Sequence, residues 1–285
     1  MTRTFGIEIE AYGNSTANVA AKLNAAGISC RVDGYYNHEA RSYWKIVTDG
    51  SLRNDRGNNR NCYEIVSPIL QGEEGLRQVR VVMQTLQRIG AKVNRSCGMH
   101  VHVGAAGLDV RAFKRIAKAF LVFEPFFDSV VAPERQRSNA HYTRSNVQAL
   151  SHQGEPYQPN FQRGGFDHKA VQIAVTKLDE CDTVPQVIAT MSPTRSMKLN
   201  MTAVNRHGTL EFRQHHGAIC PVAASEWIKL ILAFVEGAAA KKELRPLHRA
   251  PTADEKAANF YKRYNLSPET IAHFEARRAR FTQAA

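Results

Sequence analysis

The sequence predicts an α+β protein of appreciable core. Three observations carry this. Short segments place polar groups at every second residue, the strand period, and longer segments between them repeat apolar residues at helical spacing. The chain is 285 residues long with 43% hydrophobic residues, enough for one large domain or two small ones and far from the composition of a disordered chain.

The elements follow in order. Residues 4–11 read as a strand. Asn14 or Ser15 caps a helix through Val19, Ala20 and Leu23 that ends at Gly27. Ile28–Val32 and Tyr43–Thr48 read as short strands, and Asp49-Gly50-Ser51 as a turn. The polar stretch Asn54–Asn61 reads as a loop, expected to be mobile. Cys62–Ser67 is a strand stopped by Pro68, with Tyr63 and Ile65 on one face and Glu64 and Val66 on the other. A helix from about Glu73 to Ile89 carries Leu76, Val79, Met83 and Leu86, and Gly90 ends it. The strand Gly98–Gly104 follows. A helix capped by Asp109 runs towards Val130, and Pro125 is expected to kink it or end it early.

Residues 132–170 show little periodicity, which in a compact domain marks a functional or mobile segment. A short helix is expected near Pro185–Met191. Met197–Val204 and Thr209–His215 read as two strands joined by a turn at Asn205–Gly208, and Ala223–Ala240 as a helix. The expected division is 1–240 as one catalytic domain and 241–285 as a basic helical extension, its last helix opened by Ser267-Pro268.

The net charge is +12 and the pI about 9.7, which suits a polyanionic acceptor or nucleic acid as partner, or a solvated basic surface with arginines that hold phosphate. No nucleic-acid-binding motif accompanies the basic residues. Five scattered cysteines, none in a Cys-x-x-Cys pair, read as reduced thiols. No apolar run reaches the roughly 18 residues that span a bilayer. The start, MTRTFGIEIEAYG, lacks a signal-peptide pattern. The expected location is the cytoplasm, without a membrane partner.

Three strand segments concentrate the chemistry. Glu8 and Glu10 share a face, as do His100 and His102, and as do Glu211, Arg213 and His215. The intervening Ile7, Ile9, Val101, Val103, Leu210 and Phe212 face the other way. If the strands lie in one sheet, one side carries carboxylates and imidazoles and the other packs a core. Two carboxylates at i, i+2 have Cα atoms roughly 7 Å apart and repel each other without a cation. The bland alternatives are an exposed strand face for Glu8 and Glu10, structural histidines, and a same-face salt bridge for Glu211 and Arg213. Taken together the set is coherent for Mg²⁺ or Mn²⁺ beside a fixed guanidinium that matches phosphate oxygens.

These motifs, in this order, resemble the amidoligases of the carboxylate–amine ligase superfamily, related in fold to glutamine synthetase and glutamate–cysteine ligase. The resemblance covers about residues 4–240. It rests on Phe-Gly-Ile-Glu-Ile-Glu at 5–10, Asp-Gly-Ser-Leu at 49–52, Tyr-Glu-Ile-Val-Ser-Pro at 63–68 and Cys-Gly-Met-His-Val-His-Val-Gly at 97–104. Further on come Asn139 and Tyr142 after Arg135 and Arg137, Asn200 in Lys-Leu-Asn-Met, and His-Gly-Thr-Leu-Glu-Phe-Arg-Gln-His-His-Gly at 207–217, followed by Trp227.

The resemblance implies a largely antiparallel sheet with helices on one face and the active site on the other. It also implies ATP-dependent joining of a carboxylate substrate, an amino acid or peptide, to an amine acceptor through an acyl phosphate. Glu8, Glu10, Glu64, Glu211 and His100 are implied as metal ligands for two or three Mg²⁺ ions. His100 or His102 is implied as a further ligand or a contact to the γ-phosphate, and Arg213 as the group that stabilises the transferring phosphoryl. Asp49, Arg135, Arg137 and Asn200 are candidates for nucleotide or substrate contact, Ser51 a weaker one. His215, on the Glu211 face, is a candidate for the catalytic set, with the general base left open. Other readings are a phosphotransferase of the same architecture, a Zn²⁺ or Fe²⁺ enzyme using the His pair, and a polymer-binding protein with a vestigial site. Four acidic positions favour hard cations over Zn²⁺ or Fe²⁺.

Overall fold

The computed structural model describes residues 2–34, 39–136, 142–151, 168–244 and 251–282. The described residues form seven strands, mostly antiparallel, and eleven helices. Two compact units divide them: residues 1–104 with 215–232, and residues 105–214 with 233–285. The sequence reads as a division at 240, drawn on motifs; the two units are drawn on contacts.

The first unit is built on β1 (Phe5–Tyr12), β2 (Cys30–Gly34), β3 (Trp44–Val47), β4 (Cys62–Val66) and β5 (Gly98–Gly104), hydrogen-bonded in the order β2-β3-β4-β1-β5. Only β2 and β3 are parallel. The expected alternation holds. Ile7, Ile9, Tyr63, Ile65, Met99, Val101 and Val103 are buried with α1 (Thr16–Ala25) and α2 (Gly72–Arg88). Ser15 caps α1, accepting from the Asn18 amide, as the sequence indicated. Gln78 on α2 accepts the indole N–H of Trp44 at 3.1 Å, fixing α2 against β3.

The loop 53–61 is tied together by its own side chains. Asn54 Oδ1 accepts from the Arg56 and Asn58 amides, and Asn54 Nδ2 donates to Asn58 Oδ1 and the Arg60 carbonyl. The asparagines that look like loop composition are the loop's scaffold.

In the second unit α3 (Val110–Ser129) is the central helix, capped by Asp109 through the Ala112 amide at 2.7 Å. Pro125 does not end it: the helix continues to Ser129. Phe123, Phe126 and Phe127 are buried on either side of the proline, and that packing holds the helix across the missing hydrogen bond. Short helices α4 (Pro133–Gln136), α5 (Asn146–Ser151), α6 (His168–Asp179) and α7 (Val184–Met191) follow. Residues 137–141 and 152–167 of the 132–170 segment, with Arg137 and Asn139, lie outside the described residues.

The expected strand pair at 197–215 is mostly one strand. β6 is only Leu199–Asn200, and Ala203–His207 form a helical turn, α8, in place of the turn expected at 205–208. Gly208 closes α8 at φ +65°, a left-handed conformation that glycine adopts without steric cost. β7 (Thr209–His216) then pairs antiparallel with β6, Asn200 opposite Glu211.

The helix α9 (Pro221–Ala240) passes Phe234 into the second unit's core. The tail forms α10 (Ala253–Tyr264) and α11 (Pro268–Thr282). Phe260 of α10 stacks on Phe126 with ring centroids 4.1 Å apart and meets Phe127 and Phe234. Arg277 of α11 donates to the carbonyl of Val130 at the end of α3. Burying a phenylalanine in such a cluster contributes about 1.5–3 kcal/mol, with a further increment for ring geometry. No helix among the described residues is long and apolar enough to cross a membrane. No disulfide forms among them.

Candidate metal and catalytic site

Register places the first unit's polar groups in rows. Lys45, Val66, Glu8 and His100 face one another across β3, β4, β1 and β5, and the next row is Val47, Glu64, Glu10 and Gly98. Glu8, Glu10, Glu64, His100 and His102 therefore project from the face opposite the helices. The strands approach closely at the end of this face: a Cβ on Gly104 would lie 2.5 Å from Thr4 Oγ1, so a larger residue there requires the threonine side chain to turn away.

Glu8 is the hub. Its Oε2 lies 2.9 Å from His100 Nδ1, and its Oε1 is 3.3 Å from His102 Nε2. His100 Nε2 is 3.9 Å from Glu10 Oε1, and the other Glu10 oxygen accepts the Gly98 amide. Glu64 is 3% exposed and its Oε2 is buried without a hydrogen bond. One ligand atom each from Glu8, Glu64 and His100 lie within 4.8 Å of one another. Two hard carboxylates, one of them with an orphaned buried oxygen, and an imidazole fit a divalent cation.

Two carboxylates of this face are shifted in opposite directions. Burial raises the Glu8 carboxyl, but the two imidazoles more than reverse this and hold it well below the usual range. Burial and then the nearby Glu8, Glu10 and Asp49 push Glu64 well above the usual range. A bound cation would reverse the Glu64 shift, since the same crowding of carboxylates then binds metal.

In the second unit Glu211 and Arg213 share a face of β7. Arg213 Nη1 donates to Glu211 Oε1, and Asn200 Nδ2 donates to Glu211 Oε2 at 2.6 Å. Asn200 is itself held, its Oδ1 accepting from the Thr202 amide and hydroxyl. On the other face Phe212 packs among Phe120 and Phe234. Asn200 thus orients Glu211, a role the expected nucleotide or substrate contact did not include.

The remaining candidates are placed as follows. His215 is fully buried, Nδ1 2.6 Å from the His216 carbonyl and the ring 5.0 Å from that of Trp227. Arg135 is buried in the second unit. Asp49 accepts the Ser51 amide in a turn. Arg137 lies outside the described residues.

Lys45 is the residue that sequence reasoning missed. It is 4% exposed on the carboxylate face, donates to the Glu39 carbonyl, and burial lowers its pKa. The signal was present: in Trp44-Lys45-Ile46-Val47 a lone lysine interrupts an apolar strand, and a lysine buried there needs anionic neighbours.

With this geometry in place, comparison identifies the class. The family described as "Putative amidoligase enzyme" matches residues 1–235, and the chain belongs to that family. Among solved structures, a "novel glutamine synthase homolog" is similar over 99% of this chain and 67% of its own, at 12% identity and a TM-score of 0.41. No curated protein sequence matches the chain.

Proposed function

We propose that the protein is an ATP- and divalent-metal-dependent ligase that joins a carboxylate to an amine. The observation that carries this reading is the Glu8, Glu64 and His100 cluster, whose ligand atoms lie within 4.8 Å of one another and in which Glu64 keeps a buried unsatisfied oxygen. Membership of the amidoligase family supports the class of reaction.

A carboxylate resists attack by an amine because it has no leaving group. In the proposed reaction a substrate carboxylate oxygen takes the γ-phosphoryl of ATP and ADP departs. The amine nitrogen then attacks the carbonyl carbon, the carbon–oxygen bond to phosphate breaks, and the nitrogen loses a proton. Glu8, Glu64 and His100 would hold Mg²⁺ or Mn²⁺, which when bound neutralises phosphate charge and polarises phosphoryl oxygens. His102, whose Nε2 lies 3.3 Å from Glu8 Oε1, places a second imidazole beside that carboxylate. Arg213 is the cation assigned to the phosphoryl group in transit, and Asn200 keeps Glu211 aligned beside it. Lys45 adds a buried positive charge to a face that is otherwise acidic.

The test is phosphate and ADP release from ATP with Mg²⁺ across a panel of amino acids, polyamines and small carboxylates, with Glu64→Gln as control. Release that requires both a carboxylate and an amine, and disappears in the control, is the expected result. Release that needs only one substrate and yields a phosphorylated product would replace the ligase by a phosphotransferase.

A further inference from the structure

One end of the first unit's carboxylate face is rimmed by cations. Tyr12 follows Glu8 and Glu10 on the same side of β1, and its hydroxyl donates to Asp55 in the loop 53–61. The loop is fastened to the segment 92–96. Lys92 pairs with Asp55 at 3.2 Å, Asn94 donates to the Arg53 carbonyl, and the Arg53 amide donates to Ser96 Oγ. Arg53, Arg56, Arg60, Lys92 and Arg95 are all exposed on these two segments. Asp55 is the single acid among them. Arg56, Arg60 and Arg95 have no ion-pair partner among the described residues. The asparagine scaffold of the loop fixes the backbone that carries them, with Asn61 held at φ +56°.

We propose that this rim docks an acidic peptide, and that a carboxylate of that peptide is the acyl donor. The inference rests on the ligase reading and names its substrate class. Lys92 is paired with Asp55 and Arg53 donates to the Gly50 and Leu52 carbonyls, which leaves three arginines on two adjoining segments; these exceed what a single amino-acid carboxylate can use, and they match a run of carboxylates. Arginine forks pair with carboxylates in two-point geometry. A polyanion approaching a face of glutamates is repelled, and a cationic rim at that face's edge offsets the repulsion and steers the approach. Single-stranded nucleic acid is the other polyanion to weigh. Its sequence-tolerant binding uses exposed aromatic platforms, and no aromatic side chain is exposed on either segment: Tyr12 is 5% exposed.

The experiment is fluorescence anisotropy of a labelled oligo-glutamate with the full-length protein. Titrations compare the wild type, a triple variant Arg56→Glu, Arg60→Glu and Arg95→Glu, and a charge-matched control Arg111→Glu, Lys169→Glu and Lys262→Glu. Urea unfolding verifies that both variants fold. Binding should weaken by at least about tenfold in the rim variant, stay near wild type in the control, and fall with added salt. Equal weakening in both variants, or none in either, would overturn the proposal. So would displacement of the peptide by metal-free ATP, which would make the rim a nucleotide site, or tighter rim-dependent binding of single-stranded DNA of equal charge. Phosphate release on small carboxylates separates the two ideas. Rim-dependent peptide binding with no release under any condition sinks the ligase reading and leaves a docking surface. Release without rim-dependent binding sinks the docking surface and leaves the ligase.

Discussion

Each unit buries a cluster of charges, and the two clusters are finished differently. In the second unit Lys198 is 1% exposed, and its ammonium meets Asp128 at 2.6 Å and Glu124 at 3.1 Å, with the Gln136 carbonyl at 3.3 Å. The partners are occupied in turn: Glu124 accepts the Val147 amide and Asp128 accepts Gln214. In the first unit Glu8, Glu10 and Glu64 crowd together, and Glu64 keeps an oxygen without a donor. In the second unit's cluster each carboxylate has a donor and the one open acceptor, Gln214 Oε1, is neutral; in the first unit the open acceptor is a carboxylate oxygen beside like charges, the arrangement that the proposed metal site calls for.

The largest effect that follows is on stability. Lys198→Ala leaves Glu124 and Asp128 buried without their cation and should cost about 3–5 kcal/mol, read from the urea midpoint. A loss below about 1 kcal/mol would mean that the network does not hold β6, and the contrast between the clusters would fail.

Next comes metal affinity. Loss of an outer partner of a metal ligand already lowers affinity about 10–100-fold, so Glu64→Gln should weaken Mn²⁺ binding by about 100-fold or more in calorimetric titration. The same substitution removes like-charge crowding, so the metal-free protein should unfold at the same urea concentration or a higher one. A marked drop in stability with unchanged Mn²⁺ affinity would place Glu64 with the structural network.

Catalysis sharpens the comparison from the other side. Arg213→Ala should lower turnover by more than it changes ATP affinity, because the interaction strengthens in the transition state. Near-normal kcat in that variant would remove Arg213 from the chemistry.

The pH response is smaller and separates the clusters by sign and by metal. Burial raises Asp128 to about 7, with Glu124 adding to the rise and Lys198 opposing it. Glu64 is raised as well. A carboxyl whose folded pKa lies above its unfolded value binds more protons folded than unfolded. Stability therefore declines as pH climbs from the unfolded pKa, near 4, through the folded one, near 7 for Asp128, and levels off beyond it. Glu8 has the opposite sign, and its contribution is complete once the pH exceeds about 4.5. Saturating Mn²⁺ should remove the Glu64 part of the decline and leave the Asp128 part. A slope unchanged by metal would dissociate Glu64 from the binding site. Smallest of all, Thr252→Ala breaks the capping box of α10 and should cost about 1 kcal/mol.

Much of this was legible in the sequence because strand chemistry is periodic. Alternation in 5–10 and 98–104 placed Glu8, Glu10, His100 and His102 on one face, and the register of β1 with β5 sets His100 directly across from Glu8. The caps at Ser15 and Asp109 were readable because they depend on residues only three apart. What stayed hidden depends on partners distant in sequence. Pro125 looked like a helix stop because Phe260, which packs beside it on Phe126, lies far along the chain. Residues 197–204 read as a strand because Met197, Leu199 and Met201 alternate, while contact with β7 is confined to the Lys198 carbonyl and the register pairs of Leu199 and Asn200. Lys45 escaped notice because a lysine reads as surface until its neighbours across the sheet are known.

Asn146 has one more consequence. It is fully buried, and its side-chain amide closes on Leu199 like a piece of backbone, accepting from Leu199 N and donating to the Leu199 carbonyl, which Ser192 also engages. β6 is a terminal strand, and terminal strands recruit other chains through unpaired backbone groups. Here two side chains have already taken those groups. With the Arg144 main chain paired along residues 196–198 just before it, this short edge offers little open backbone to another chain.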